Sequence, residues 1–178
     1  MFKIIDKKAL APEVVSFTVE APLIADKARP GHFVVVRASE TSERIPLTIA
    51  DYNRDNGTIE LIIQAVGYST IELAKLNEGD QLLDVLGPLG EPVEIEEVGT
   101  VVCVAGGIGV APIYPKAKEL KKAGNEIISI IGAKTEEELI MQDKLESISD
   151  EIYLATDDGS IGHEGFVTEV LESVLEEN

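Results

Sequence analysis

Val101-Val102-Cys103-Val104-Ala105-Gly106-Gly107-Ile108-Gly109-Val110-Ala111-Pro112 decides how the chain folds. Val101 to Ala105 is a short apolar run rich in β-branched residues, the pattern of a strand covered on both faces. Gly106, Gly107 and Gly109 follow at once, and glycine lets the backbone turn sharply or approach a ligand closely. Pro112 suits the first turn of a helix, and Lys116 to Ala123 continue with helix formers up to Gly124. The stretch therefore reads as strand, glycine turn, helix. A helix start behind such a turn presents N–H groups and a positive dipole end suited to a pyrophosphate. The same turn could also serve packing alone, and it is not the G-x-G-x-x-G fingerprint.

Downstream the alternation continues. Glu126–Ile131 is a second strand and Gly132-Ala133-Lys134 a loop. Thr135 and Glu138 are spaced as a capping box that would open a helix. Glu151–Ala155 is a third strand. Gly165 to Glu176 is a last helix, with Val167, Val170, Leu171 and Val174 on one side. This βαβαβα order implies a parallel sheet. Three strands are few for such a domain, and the chain stops where more would be expected.

Upstream, residues 1 to about 95 look all-β. Val14–Glu20 alternates with Val15, Phe17 and Val19 on one face. Strands are expected at His32–Arg37, Ile45–Ala50, Ile59–Gln64 and Gln81–Leu86. A short helix is expected at Thr70–Leu76, and turns at Arg29-Pro30-Gly31, Asn56-Gly57 and Gly87-Pro88-Leu89-Gly90. Short strands joined by Gly/Pro turns suggest a small barrel. The expected organisation is an all-β barrel over 1–96 followed by an α/β parallel-sheet nucleotide-binding domain over 97–178 that is truncated at its C-terminus.

Composition narrows the partners. The 178 residues carry a formal charge of −18, and residues 96–178 alone hold 18 acidic against 6 basic side chains. Nucleic acid and anionic membrane are poor partners for such a chain. Aromatics are 4% with no Trp, so the core is aliphatic. The single Cys103 excludes a disulfide and fits a cytoplasmic protein. No apolar run approaches the ~20 residues of a membrane span. His32 and His163 have no metal-ligand constellation and read as turn and surface residues.

Four motifs in order carry a resemblance over nearly the whole chain: Arg44-Ile45-Pro46-Leu47-Thr48, Gly67-Tyr68-Ser69-Thr70, Gly87-Pro88-Leu89-Gly90, and Gly106 to Pro112. Together they resemble the ferredoxin–NADP reductase superfamily. Within it the nearest likeness is to electron-transfer subunits: the flavin subunit of NADH-dependent ferredoxin:NADP oxidoreductase (the sulfide dehydrogenase small subunit), or that of dihydroorotate dehydrogenase. The resemblance implies an FAD-binding barrel, a nicotinamide dinucleotide on the second domain, and hydride transfer to the flavin in the cleft between them. Electrons then go to an iron–sulfur centre and a partner subunit or ferredoxin.

Residue by residue, Arg44 resembles the arginine on the FAD pyrophosphate, where a guanidinium fork matches phosphate oxygens. Read alone, it could form a surface ion pair with Glu43 or Glu40. Pro46 and Leu47 match positions flanking the isoalloxazine, where the broader family carries a tyrosine; Leu47 can pack on the ring but not π-stack. Thr48 matches the hydroxyl near flavin N5 and is the catalytic candidate; by itself it is a strand threonine. Ile63, Gln64, Ala65 and Val66 would run beside the ribityl chain. Gly67, Ser69 and Thr70 match the phosphate-holding loop, or cap a helix. Gly107, Ile108, Gly109 and Val110 would cradle NAD(P)H. Asp157 and Asp158 would meet ribose or merely solvate their loop. Lys134 could meet a 2′-phosphate, but Glu136-Glu137-Glu138 oppose it, which leans toward NADH. The [2Fe–2S] cluster of full-length family members needs about four thiolates, so this chain holds no ligand set for it. A non-catalytic scaffold subunit is the reading from another class.

Overall fold

The computed structural model describes residues 1–177, which fall into two compact units, Met1–Val93 and a second from Glu94 onward. No helix among the described residues is long and apolar enough to cross a membrane.

The first unit is a seven-stranded antiparallel sheet curled into a nearly closed barrel. Its strands are β1 (Phe2–Ala11), β2 (Val14–Glu20), β3 (Phe33–Arg37), β4 (Ile45–Asn53), β5 (Thr58–Gln64), β6 (Gln81–Leu82) and β7 (Asp84–Leu89), in the order β6-β1-β2-β5-β4-β3-β7. The two outermost strands, β6 and β7, are separated in sequence by Leu83 alone. Its N–H donates to the Arg37 carbonyl (2.9 Å), so the chain itself joins the sheet's two edges. Alternation places Phe17, Val19, Val34, Val36, Ile49, Ile59, Leu61 and Ile63 inside, all at 1% exposure or less. Two helices, α1 (Pro22–Lys27) and α2 (Tyr68–Ala74), add Ile24, Ala25 and Leu73 to the same core.

Three expectations change here. Gln81–Leu86 is two strands, because the chain changes sheet edge at Leu83. Gly87-Pro88 does not stop β7: the strand continues to Leu89, and a Cβ on Gly87 would sit 2.7 Å from Val34 Cγ1. Glycine is needed there because β3 passes so close. His32 is not a surface residue: it is buried, and its Nδ1 accepts the Arg29 N–H (3.2 Å).

The second unit is a parallel four-stranded sheet in the order β11-β10-β9-β8, from β8 (Thr100–Gly106), β9 (Glu126–Ala133), β10 (Glu151–Thr156) and β11 (His163–Glu164). The expected three strands thus gain a short fourth. A 3-10 turn, Gly107–Gly109, leads into α3 (Val110–Lys122); α4 (Gln142–Glu146) precedes β10, and α5 (Val167–Glu177) ends the chain. Ile128 and Ile130 face α5 with Val170 and Val174. Ile127, Ser129 and Ile131 alternate to the opposite face and are buried as well. The expected capping box at Thr135 and Glu138 is a 3-10 turn with no side-chain cap. The Glu136 N–H there donates instead to Ser160 Oγ (2.8 Å), from the loop after β10.

Candidate functional site

In the barrel unit the candidate residues gather where β4 parts from β5. From Asn53 back to Ile49, β4 pairs with Thr58–Leu61 of β5. From Thr48 back to Ile45 its pairing is with β3. Ile62 to Gln64 of β5 pair with β2. Ile45–Thr48 and Ile62–Gln64 therefore flank an opening in the barrel wall. Ile45, Leu47 and Ile49 pack on the barrel core, so alternation turns Pro46 and Thr48 to the other face. Leu47 thus spends its side chain on the core, as does Ile63, which is fully buried. Any contact from Ile63 to a ligand would be made by its main chain. Gln64 is exposed, and Ala65 half-buried, with its N–H donating to the Glu13 carbonyl (2.8 Å).

Arg44, just before β4, and Gly67–Thr70, just after β5, lie at the same end of this opening, because the two strands run antiparallel. The Arg44 guanidinium meets Asp84 at 3.3 Å, not Glu43 or Glu40. Asp84 is also held by Arg37 at 2.8 Å, whose buried Nε has no hydrogen-bond partner. The Arg44 side chain is 53% exposed and keeps donors free for an anion. Thr70 closes the loop: its hydroxyl accepts from the N–H groups of Val66 (3.2 Å) and Gly67 (3.0 Å) and donates to the Gly67 carbonyl (3.0 Å). Ser69 donates to Glu43 Oε2 at 2.8 Å. Thr70 thus realises the capping alternative at the start of α2. Tyr68 beside them is 80% exposed.

In the second unit the candidates lie at the carboxyl ends of the parallel strands, where open α/β sheets place ligands. Gly106 pairs with Gly132, and Ala133 with Thr156, so the three following loops share one edge. Gly107 has φ +51°, a conformation that favours glycine. Gly106 and Gly109 have ordinary backbone angles, and a Cβ on either would meet nothing within 4 Å. Packing does not require glycine at those two positions; open space above the turn does suit a close ligand. Ile108 is half-buried, while the Val110 side chain is buried, leaving its backbone to the turn. The loop after β10 is stitched internally. Asp158 accepts from the Ser160 N–H (3.0 Å) and hydroxyl (2.6 Å). The Ser160 hydroxyl, with its N–H, holds the Asp158 carboxyl below the usual range. Asp158 is thus committed to its own loop, and exposed Asp157 is the carboxylate left facing solvent. Its N–H donates to the Ala133 carbonyl (3.2 Å).

Elsewhere, burial pushes the Cys103 thiol up, away from nucleophilic use. His163 pairs with Glu169 at 2.8 Å. Among the described residues no three or more His, Cys, Asp or Glu side chains converge on a metal position. Asp84 and Ser160 were not visible as candidates in the sequence, and Glu43 was weighed only as an ion-pair partner for Arg44. Each meets its partner across 24 to 40 residues, and no local pattern marks such contacts.

A barrel followed by a parallel sheet with these two edges is the ferredoxin-reductase architecture. The solved structure on flavin-based electron bifurcation via NADH-dependent reduced ferredoxin–NADP oxidoreductase is 44% identical, with TM-score 0.94 over all of this chain and 64% of that one. The ferredoxin reductase of carbazole 1,9a-dioxygenase shares the fold at 18% identity, with TM-score 0.83 over 98% of this chain and 56% of that one. By sequence, the Thermotoga maritima dihydroorotate dehydrogenase B electron transfer subunit homolog is 46% identical over 175 residues, 98% of this chain and 62% of that protein. The dihydroorotate dehydrogenase B electron transfer subunit of Lysinibacillus sphaericus is 37% identical over 177 residues, 96% of this chain and 68% of that protein. The chain belongs to the family of dihydroorotate dehydrogenase B electron-transfer subunits and their homologues. It spans 62% of the length of the Thermotoga relative. No family model matches.

Proposed function

We propose that the chain is the dinucleotide-handling part of a flavin-dependent electron-transfer subunit, with FAD on the barrel unit and NAD(P)H on the parallel-sheet unit. The observation that carries this reading is the parting of β4 from β5, with Pro46 and Thr48 along one side, Gln64 and Ala65 along the other, and Arg44 and Ser69 at one end. The parted strands offer main-chain edges to a flat, hydrogen-bonding tricycle, and the end with Arg44 offers a guanidinium to its pyrophosphate. FAD, when bound, supplies hydride acceptance from a nicotinamide and release of electrons one at a time. The protein's part is positioning. Thr48 presents a hydroxyl that can donate to the flavin edge near N5 without ionising. Ile63, Gln64 and Ala65 line the ribityl side, and Gly67, Ser69 and Thr70 hold the phosphate loop.

On the second unit, Gly107, Ile108, Gly109 and Val110 give backbone to the nicotinamide dinucleotide, and the free carboxylate of Asp157 is placed for a ribose hydroxyl. The acidic run Glu136–Glu138 disfavours a 2′-phosphate, which supports NADH. The electron acceptor is an iron–sulfur partner subunit. The relatives named for dihydroorotate dehydrogenase B favour that enzyme as the assembly, while the 44%-identical structure favours a ferredoxin-linked one. A cytoplasmic location fits all of this.

Titrating the purified chain with FAD while following flavin fluorescence tests the reading. Saturable one-to-one binding followed by bleaching on anaerobic mixing with NADH is expected. No FAD uptake would overturn it, and bound FAD that NADH cannot bleach would favour a non-catalytic scaffold.

A further inference from the structure

Ser69 and Glu43 are joined across the mouth of the opening in the barrel wall. Glu43 precedes Arg44 at the entry to β4, and Ser69 follows β5 on the opposite bank. The Ser69 hydroxyl donates to Glu43 Oε2 at 2.8 Å over 26 residues of sequence. An exposed hydrogen bond of this kind contributes little to stability. Its placement is the informative part. Arg44, the neighbouring cation, is engaged by Asp84 and not by Glu43. Glu43 instead directs its carboxylate at the Ser69 hydroxyl, at Arg44's end of the gap. A carboxylate and a phosphate offer a hydroxyl donor the same thing: an acceptor oxygen carrying negative charge.

We infer that Glu43 is an anionic placeholder on Ser69, which the pyrophosphate of the incoming dinucleotide must displace. The inference rests on the FAD reading of this opening and adds a residue that sets affinity against the cofactor instead of for it. With the cofactor absent, the Glu43 carboxylate occupies the Ser69 hydroxyl. With it present, the Glu43 carboxylate turns to solvent, which its exposure permits. The cost of binding is then the lost Ser69 bond plus repulsion between Glu43 and a dianionic pyrophosphate a few ångströms away, a modest term in high dielectric.

The test is FAD titration of four forms of the chain by flavin fluorescence: unaltered, Glu43→Gln, Ser69→Ala and the double variant. Glu43→Gln should bind FAD roughly three- to tenfold tighter, with a faster association rate and a smaller gain at high salt. Ser69→Ala should weaken binding, and Glu43→Gln should add less on that background than on the unaltered chain. Riboflavin, which lacks the pyrophosphate, should show no gain with Glu43→Gln. If the unaltered chain binds FAD and Glu43→Gln binds it equally or more weakly, the placeholder role is wrong while the cofactor assignment stands. If the unaltered chain takes up no FAD, the cofactor assignment itself fails. Circular dichroism of each variant separates these outcomes from misfolding.

Discussion

Gly132 lies directly beneath Val167: a Cβ added to Gly132 would come within 2.5 Å of Val167 Cγ1 and 3.3 Å of the Ala155 carbonyl. This glycine in the middle strand is what lets α5 settle on the sheet. A Cβ added to Gly109, by contrast, would meet nothing within 4 Å. The two glycines should therefore separate cleanly on mutation.

Gly132→Ala should destabilise the second unit by about 1–3 kcal/mol through overpacking. Gly109→Ala should leave stability unchanged within ~0.5 kcal/mol, its φ of −59° suiting any residue. If Gly109 is a ligand glycine, the same change should weaken NADH binding several-fold. Urea melts and NADH titrations on both variants check the contrast. Equal stability losses would remove the distinction.

Arg44→Ala should weaken FAD retention by roughly tenfold to a hundredfold, the range for a charge-assisted contact to phosphate. Arg44→Lys should recover only part, since an ammonium cannot fork. Flavin content after gel filtration reads the difference. Unchanged retention in Arg44→Ala would take Arg44 out of the site.

Much of this was legible beforehand, and the misses have physical causes. β2 and β5 send every second side chain (Phe17 and Val19; Ile59, Leu61 and Ile63) into the barrel core, and their bounds are nearly those expected. β1 was not recognised: in Phe2–Ala11 only Ile4 is fully buried, and three lysines with an aspartate break the pattern. α1 is six residues, too short to show a period. Thr135 and Glu138 have capping-box spacing, yet the Glu136 N–H found a better-placed oxygen on Ser160, a contact no local motif encodes. Arg44 and Thr48 were singled out by motif, and both lie where β4 parts from β5. That Leu47 and Ile63 turn their side chains inward follows from the strand alternation, once Ile49 is seen to be buried.

Thr48→Val should keep FAD bound but slow its bleaching by NADH about tenfold, the cost of one lost neutral hydrogen bond in the reacting geometry. Thr48→Ser should behave nearly as the unaltered protein. Stopped-flow absorbance at the flavin band measures both. A Thr48→Val rate equal to the unaltered rate would make Thr48 a strand residue and nothing more.

Burial, with the nearby Arg29 charge second, lowers the His32 pKa below its ordinary value near 6.5. The folded state thus favours the neutral ring, whose Nδ1 accepts the Arg29 N–H. The unfolded chain then binds the proton more readily. This contribution to stability is present above about pH 6.5 and is lost as the pH falls through the lower folded-state value. His32→Asn keeps an acceptor but does not titrate. Between pH 7.5 and 5.5 it should lose less stability than the unaltered protein; parallel slopes in urea titrations would rule His32 out.

Leu83 bridges the first and last staves of the barrel in a single step. Sheet edges ordinarily invite foreign strands, and natural proteins blunt them with charge or proline. Here the backbone itself clasps the two margins, so neither can swing out to recruit a neighbouring molecule without the other following. Lengthening that one-residue clasp should let the two margins separate.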